Sequence, residues 1–343
     1  MSQTTAQIAA NAIPAAKKPR LAFVGTGWIG LNRMKAIVES GLGQVCAIIE
    51  PQNEMALRAR EFAPGAAVVP GFDGALRGDV DGVVIATPSA LHADQAIAAL
   101  ENGCAVFCQK PLARTKQETD RVIDAARAAD RLLGVDLSYR FTAAARAIRE
   151  LIQNRELGEL FAVELAFHNA YGPDKQWFYD PRLSGGGCLI DLGIHLVDLA
   201  LWLLDFPHVE SVSGKLFAKG RGFRGRGAET EDFAQATICL APCTNVQLAC
   251  SWRAHAGQDA LIEATVYGTR GGAKLRNVAG SFYDFVAEHC VGTARHTIAT
   301  PPDDWGGRAA TTWLKRLSKS NRFDPDIERL SAVADVVDRV YAA

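Results

Sequence analysis

No excess of charge of either sign marks this chain: 37 Lys and Arg stand against 38 Asp and Glu, for a net charge of −1 over 343 residues. A near-neutral balance gives no electrostatic footprint for nucleic acid or an anionic membrane, so neither is expected as a partner. Long apolar runs are missing too. Leu196 to Leu204 is interrupted by Asp198 and is far too short to span a bilayer. The eight cysteines are scattered; Cys104/Cys108 and Cys239/Cys243 have neither C-x-x-C spacing nor neighbouring histidines. They read as reduced thiols in a cytosolic core, with no metal site, and a cytoplasmic location is expected. Residues 1–18 have Lys17-Lys18 at their end and no apolar h-region, unlike a secretory leader. They read as a flexible tail, or as an arm docking on a partner subunit.

What is present first is alternation. Strand-like runs at 66–70, 82–87, 105–108 and 132–137 interleave with helical runs at 54–62, 90–102 and 116–130. Such a pattern predicts a parallel, doubly wound sheet with ligand at the carboxyl ends of its strands. At its head, the apolar strand ending in Val24 runs into Gly25-Thr-Gly27-Trp28-Ile29-Gly30 and then a helix closed by Gly41. The first glycine permits the bend, the second lets backbone approach a pyrophosphate, and the third lets helix pack on strand. A second strand, Gln44–Ile49, ends at Glu50, 20 residues after Gly30, where an acid would take the adenosine ribose hydroxyls. Pro51, Gln52 and Asn53 supply no cation for a 2′-phosphate, so NAD is favoured over NADP.

After about residue 140 the texture changes. A helix at 143–152 precedes alternating segments at 160–169, 209–219, 233–240, 245–253 and 261–267, and an amphipathic helix at 324–342 closes the chain. These predict an α+β domain with a large, mainly antiparallel sheet. The expected division is a tail (1–18), a Rossmann domain (19–140) and a substrate-binding and oligomerisation domain (141–343). The sheet is expected to keep one apolar face bare, which would make the protein a homodimer or homotetramer through that face. Within this half, Ser184-Gly-Gly-Gly leads into a helix carrying Asp191 and His195. Four residues apart, they share a helix face, so the carboxylate would orient the imidazole and raise its basicity for general-base work. A buried structural polar pair is the plain alternative.

With those pieces in order, the chain resembles the glucose–fructose oxidoreductase / inositol dehydrogenase / MocA family. The resemblance runs from about residue 19 onward and rests on four motifs: the glycine turn; Thr87-Pro88-Ser-Ala-Leu-His92; Gly103-Cys-Ala-Val-Phe-Cys-Gln109-Lys110-Pro111; and Trp177 through Ser184-Gly-Gly-Gly to Asp191, His195 and Asp198. It implies that Lys110 is the catalytic lysine, with Asp191 and His195, and that Gly25, Gly27, Trp28, Ile29, Gly30, Glu50, Thr87, Pro88, His92, Gln109 and Lys110 bind the cofactor. His195 would take a proton from a substrate hydroxyl as hydride leaves the same carbon, while Lys110 stabilises the alkoxide. Gln109 departs from the family's usual Glu, removing a negative charge beside Lys110.

The implied activity is an NAD-dependent dehydrogenase acting on a sugar, cyclitol or related polyol. Lys110, Tyr139, Arg140, His168, Asn169, Trp177, Asp191, His195 and Asp198 are the candidate substrate contacts. Two other classes stay open: an NAD-using glycosidase of the same fold, and a non-catalytic NAD-binding sugar sensor.

Overall fold

The computed structural model describes residues 18–76, 78–227 and 229–343, so the expected N-terminal tail lies, Lys18 aside, outside the described residues. The first half alternates β1 (Arg20–Val24), α1 (Trp28–Ser40), β2 (Gln44–Ile49), α2 (Asn53–Phe62), β3 (Ala67–Val68), α3 (Phe72–Leu76), β4 (Gly82–Ile85), α4 (His92–Glu101), β5 (Ala105–Cys108), α5 (Lys116–Ala129) and β6 (Leu133–Val135). All six strands are parallel, in the order β3-β2-β1-β4-β5-β6. β4 and β5 are buried at every residue, as unbroken runs of Val, Ile, Ala, Phe and Cys must be when helices cover both faces. The strand order reverses between β1 and β4, which opens a crevice at their carboxyl ends.

The second half contains α6 (Ala143–Gln153), β7 (Leu160–Asn169), α7 (Pro181–Ser184), a π-helical turn (Leu189–Gly193) and α8 (Ile194–Leu203). It continues with β8 (Val209–Ala218), β9 (Arg221–Phe223), β10 (Phe233–Leu240), β11 (Thr244–Ser251), β12 (Ala260–Gly268), β13 (Gly272–Asn277), β14 (Phe285–Val291) and β15 (Ala294–Ala299). These strands form a nine-stranded sheet, β15-β14-β13-β12-β7-β11-β10-β8-β9, antiparallel except for β7 beside β11. Pro181–Leu203 is a 23-residue helical stretch apolar enough to cross a membrane by composition, but 89% of its most apolar window is buried inside the domain. It is the core helix, wrapped by sheet on one side and by α10 (Leu330–Ala342) on another.

Two expectations need correction. The uncovered sheet face is polar, not apolar. Alternation puts Val163, Leu165 and Phe167 under the helices and Glu164, Lys215, Gln235, Thr237, Gln247, Glu263 and Thr265 on the bare side. Nor does the chain stay in its second half after residue 141. The helix α9 (Arg308–Leu317), absent from the sequence reading, returns to the parallel sheet, where Trp313 and Leu314 join the core of Leu21, Phe23 and Phe107. The expected closing helix also starts later, a 3₁₀ turn (Pro325–Arg329) leading into α10.

Candidate active site

The glycine turn sits at the mouth of the crevice. Gly25 has φ +84°, and a Cβ there would come 2.6 Å from the Ala86 carbonyl oxygen. A Cβ on Gly30 would come 2.3 Å from the Gly25 oxygen, which is why helix α1 can lie this close to β1. Gly27 differs: it is the N-cap of α1, with no side-chain cap and no acid in the first turn. Its backbone is open on the outer side. Such a helix end offers N–H groups and positive dipole to a phosphate. Glu50 closes β2 beside it. Its Oε2 accepts Thr26 N–H at 2.8 Å and its Oε1 accepts Gln52 N–H at 3.0 Å, which fixes the carboxylate and leaves lone pairs for a diol. Trp28, 62% exposed, stands on the rim. Together these groups fit a dinucleotide.

Lys110 projects from the end of β5, ahead of a cis Lys110–Pro111 bond. Its Nζ donates to the main-chain oxygen of Asp191 and to Oδ1, each at 2.7 Å. Asp191 Oδ2 accepts the indole N–H of Trp252 at 3.0 Å. The expected Asp191–His195 pairing is therefore not made. The turn carrying Asp191 is π-helical, which breaks the i,i+4 register assumed from the sequence, and the carboxylate meets Lys110 and Trp252 instead. His195 is 8% exposed and packs edge-on to Tyr139, with ring centroids 4.8 Å apart. Its Nδ1 is buried and has no partner. Burial, then the positive charges of Lys110 and Arg33, hold its pKa well below the ordinary 6.5. The imidazole is thus neutral at neutral pH and able to accept a proton, but it owes none of that to Asp191.

Residues 19–137 match the oxidoreductase family model with an NAD-binding Rossmann fold, and residues 145–274 match the GFO/IDH/MocA C-terminal domain. The chain belongs to this family. It is 33% identical over 185 residues to D-glucoside 3-dehydrogenase of Escherichia coli (strain K12), covering 54% of this chain and 50% of that one. It is 32% identical over 196 residues to inositol 2-dehydrogenase of Acidiphilium cryptum (strain JF-5), 56% of each. The matched region thus spans about half the length of these two relatives. A solved levoglucosan dehydrogenase in complex with NADH and levoglucosan superposes with a TM-score of 0.81 at 20% identity, covering 94% of this chain and 96% of that one, a likeness of fold.

Against the family's usual Glu, Gln109 is buried and its Nε2 donates to Asp136 Oδ2 at 2.6 Å. Arg33 Nε pairs with the same oxygen at 2.5 Å. The amide expected to reach a ribose is instead held in this cluster, where a carboxylate would have faced Asp136 with like charge. His92 is also no surface group. Its ring nitrogens lie 2.7 Å from the carbonyls of Pro111 and Thr87, and it is 1% exposed, so it braces both motifs from beneath. Burial lowers its pKa more than those carbonyls raise it.

The other candidate contacts divide. Tyr139 lines the imidazole, and Trp177 stacks on Phe178 at 3.8 Å on the Trp252 side of the site. Asn169 points to the helix-covered side of the sheet, with Oδ1 buried and unpartnered. Three expectations are overturned. Arg140 and Asp198 form a two-bonded ion pair with each other, which takes both oxygens of Asp198, 2% exposed, and commits Nε and Nη2 of Arg140 to it rather than to a ligand. His168 lies on the bare face of the sheet, bonded to Ser251 and stacked on Phe233, away from Lys110.

One residue escaped the sequence reading. Glu231, 1% exposed, accepts N–H from Gly187 (2.9 Å) and Leu189 (2.8 Å), while its main-chain oxygen accepts from Cys188 at 3.0 Å. A Cβ on Gly187 would come 1.9 Å from that oxygen. Glu231 therefore caps the helix that carries Asp191 and His195, which explains the glycine run. Only its position before an apolar strand hinted at this.

Proposed function

We propose that this chain is an NAD-dependent dehydrogenase that oxidises a secondary hydroxyl of a sugar, cyclitol or related polyol, or reduces the corresponding ketone. The observation that carries this is the juxtaposition, at the crevice beside the dinucleotide turn, of a lysine ammonium fixed by Asp191 and a buried neutral imidazole whose Nδ1 makes no hydrogen bond to the protein. When bound, the nicotinamide would accept or supply the hydride. His195 takes the hydroxyl proton as the carbonyl forms. Lys110, held in place by Asp191, puts positive charge where the alkoxide develops. Tyr139, Phe167 and Trp305 surround the site with aromatic surface and keep water from the imidazole. Asn169 and Trp177 are the proposed further contacts to substrate.

NAD is the proposed cofactor over NADP. Glu50 repels a 2′-phosphate, and the cation nearest in sequence, Arg58, is paired with Glu54 at 2.8 Å. Relatives bearing dehydrogenase names for glucosides and inositol support a polyol as substrate. Assembly as a dimer or tetramer through the bare sheet face is proposed as well, by polar and charged contacts. Reduction of NAD by a panel of sugars, inositols and sugar acids, followed by absorbance, tests the activity. No turnover with any polyol, or equal affinity for NADP, overturns the corresponding part.

A further inference from the structure

The dinucleotide turn is overhung from the other half of the chain. The loop between β7 and α7 carries Lys175, and its Nζ would lie 3.6 Å from a Cβ built on Gly27. Beyond the adjoining residues Thr26 and Trp28, nothing else approaches that point within 4 Å. Lys175 is exposed, and among the described residues its side chain makes no hydrogen bond or ion pair. An uncompensated ammonium thus stands over the one glycine of the turn whose outer side is open, beside a helix end with no acid in its first turn. Two independent sources of positive potential, one from each half, converge there.

The loop is also not an idle one. The Tyr179 hydroxyl donates to the Pro173 carbonyl at 2.8 Å, and a Cβ on Gly172 would come 2.4 Å from that hydroxyl. Tyr179 packs edge-on against Trp252, with centroids 5.5 Å apart, and Trp252 holds Asp191. The segment that places Lys175 is therefore anchored to the group that places Lys110.

We infer that Lys175 is a pyrophosphate-binding residue, contributed by the second half of the chain to close the dinucleotide site over Gly27. The inference rests on the dinucleotide reading above. When bound, the phosphates of the cofactor would be held by the α1 amides and the Lys175 ammonium together.

The probe is ADP-ribose, which has the pyrophosphate but no nicotinamide, followed by calorimetry at low and high salt on wild type, Lys175→Ala and Lys175→Arg. Lys175→Ala is expected to weaken ADP-ribose about tenfold at low salt, as for loss of a charge-assisted contact, with the gap closing at high salt and the melting temperature unchanged. Lys175→Arg is expected to stay within about threefold of wild type. Equal affinity of wild type and Lys175→Ala at low salt overturns the inference and leaves the dinucleotide site standing. A gap that persists undiminished at high salt also overturns it, since the lost contact would not be ionic. Failure of wild type to bind either ADP-ribose or NADH removes the dinucleotide reading itself, and this inference with it.

Discussion

Lys110 Nζ lies 2.7 Å from both the main-chain oxygen and Oδ1 of Asp191, so the carboxylate belongs to the lysine rather than to His195. That assignment fixes the direction of a kinetic effect. His195 is held below 6.5 partly by the Lys110 charge. In wild type, the acid limb of the oxidation rate should therefore lie below 6.5, with rate independent of pH above it. Lys110→Met removes a positive charge and leaves Asp191 uncompensated, which raises the histidine pKa. Two effects are expected together: kcat falls by roughly 10²–10⁴-fold, and the limb moves to higher pH. NAD affinity should barely change. A limb that moves down, or stays, in a folded variant contradicts the arrangement.

Removing the imidazole separates chemistry from stability. His195→Ala should lower kcat by roughly the same 10²–10⁴-fold with the cofactor still bound. It should also change the pH dependence of unfolding. A histidine whose folded pKa is depressed contributes stability that is complete above the unfolded value and is lost as pH falls. Below 6.5 the unfolded chain binds a proton that buried His195 refuses, at about 1.4 kcal/mol per pH unit. Urea titrations just above and below 6.5 should show wild type losing stability faster than His195→Ala, since His92 and His168 remain to titrate in both. Parallel losses would mean that the imidazole is protonated in the folded protein.

Arg140 and Asp198 test the correction to the substrate contacts. Arg140→Ala should cost about 3–5 kcal/mol of stability, because it strands a carboxylate that is 2% exposed. The double variant Arg140→Met/Asp198→Leu should recover most of that loss. KM for the polyol should stay near wild type in the folded double variant. A KM rise without a stability loss would return both residues to the substrate site.

Much of this was legible before the structure. The parallel sheet followed from all-apolar strands separated by helical runs, and its crevice from the glycine turn. The long alternating strands of the second half likewise revealed their two faces. The failures share a cause. Partner choice for Asp191, Arg140 and Asp198 depends on which elements meet in space, and the π-helical turn at Leu189–Gly193 leaves no periodic trace. Architecture alone suggests an apolar bare face on the sheet, but Glu164, Gln235, Gln247 and Glu263 on alternate positions spell out polarity. α9 carries a helical stripe of Ala309, Ala310, Trp313, Leu314 and Leu317, but the segment is short and lies far in sequence from the sheet it covers, so its place in the fold is not legible from the pattern.

Glu231 is where sequence said least and the structure demands most. Its carboxylate is enclosed and receives Gly187, Leu189 and the Tyr341 hydroxyl (2.8 Å), so it satisfies the first amides of a helix whose interior is all core. Burial is the largest influence on it and raises its pKa, while those hydrogen bonds pull the other way. Glu231→Ala removes the acceptor and leaves at least two buried N–H groups unmet, at about 1–3 kcal/mol each, so a drop of several kcal/mol in unfolding free energy is expected. Tyr341→Phe deletes only one donor to the carboxylate and should cost about 1.5–3 kcal/mol. The chemistry should follow differently. If Glu231 only positions the helix, Tyr341→Phe leaves kcat and its pH profile close to wild type, and Glu231→Gln, which keeps an acceptor oxygen, retains most of the activity in its folded fraction. Single-turnover hydride transfer on protein whose folded fraction is measured in the same buffer decides this. Loss of transfer in fully folded Glu231→Gln would place the carboxylate's charge, and not just its oxygen, in the working of the site.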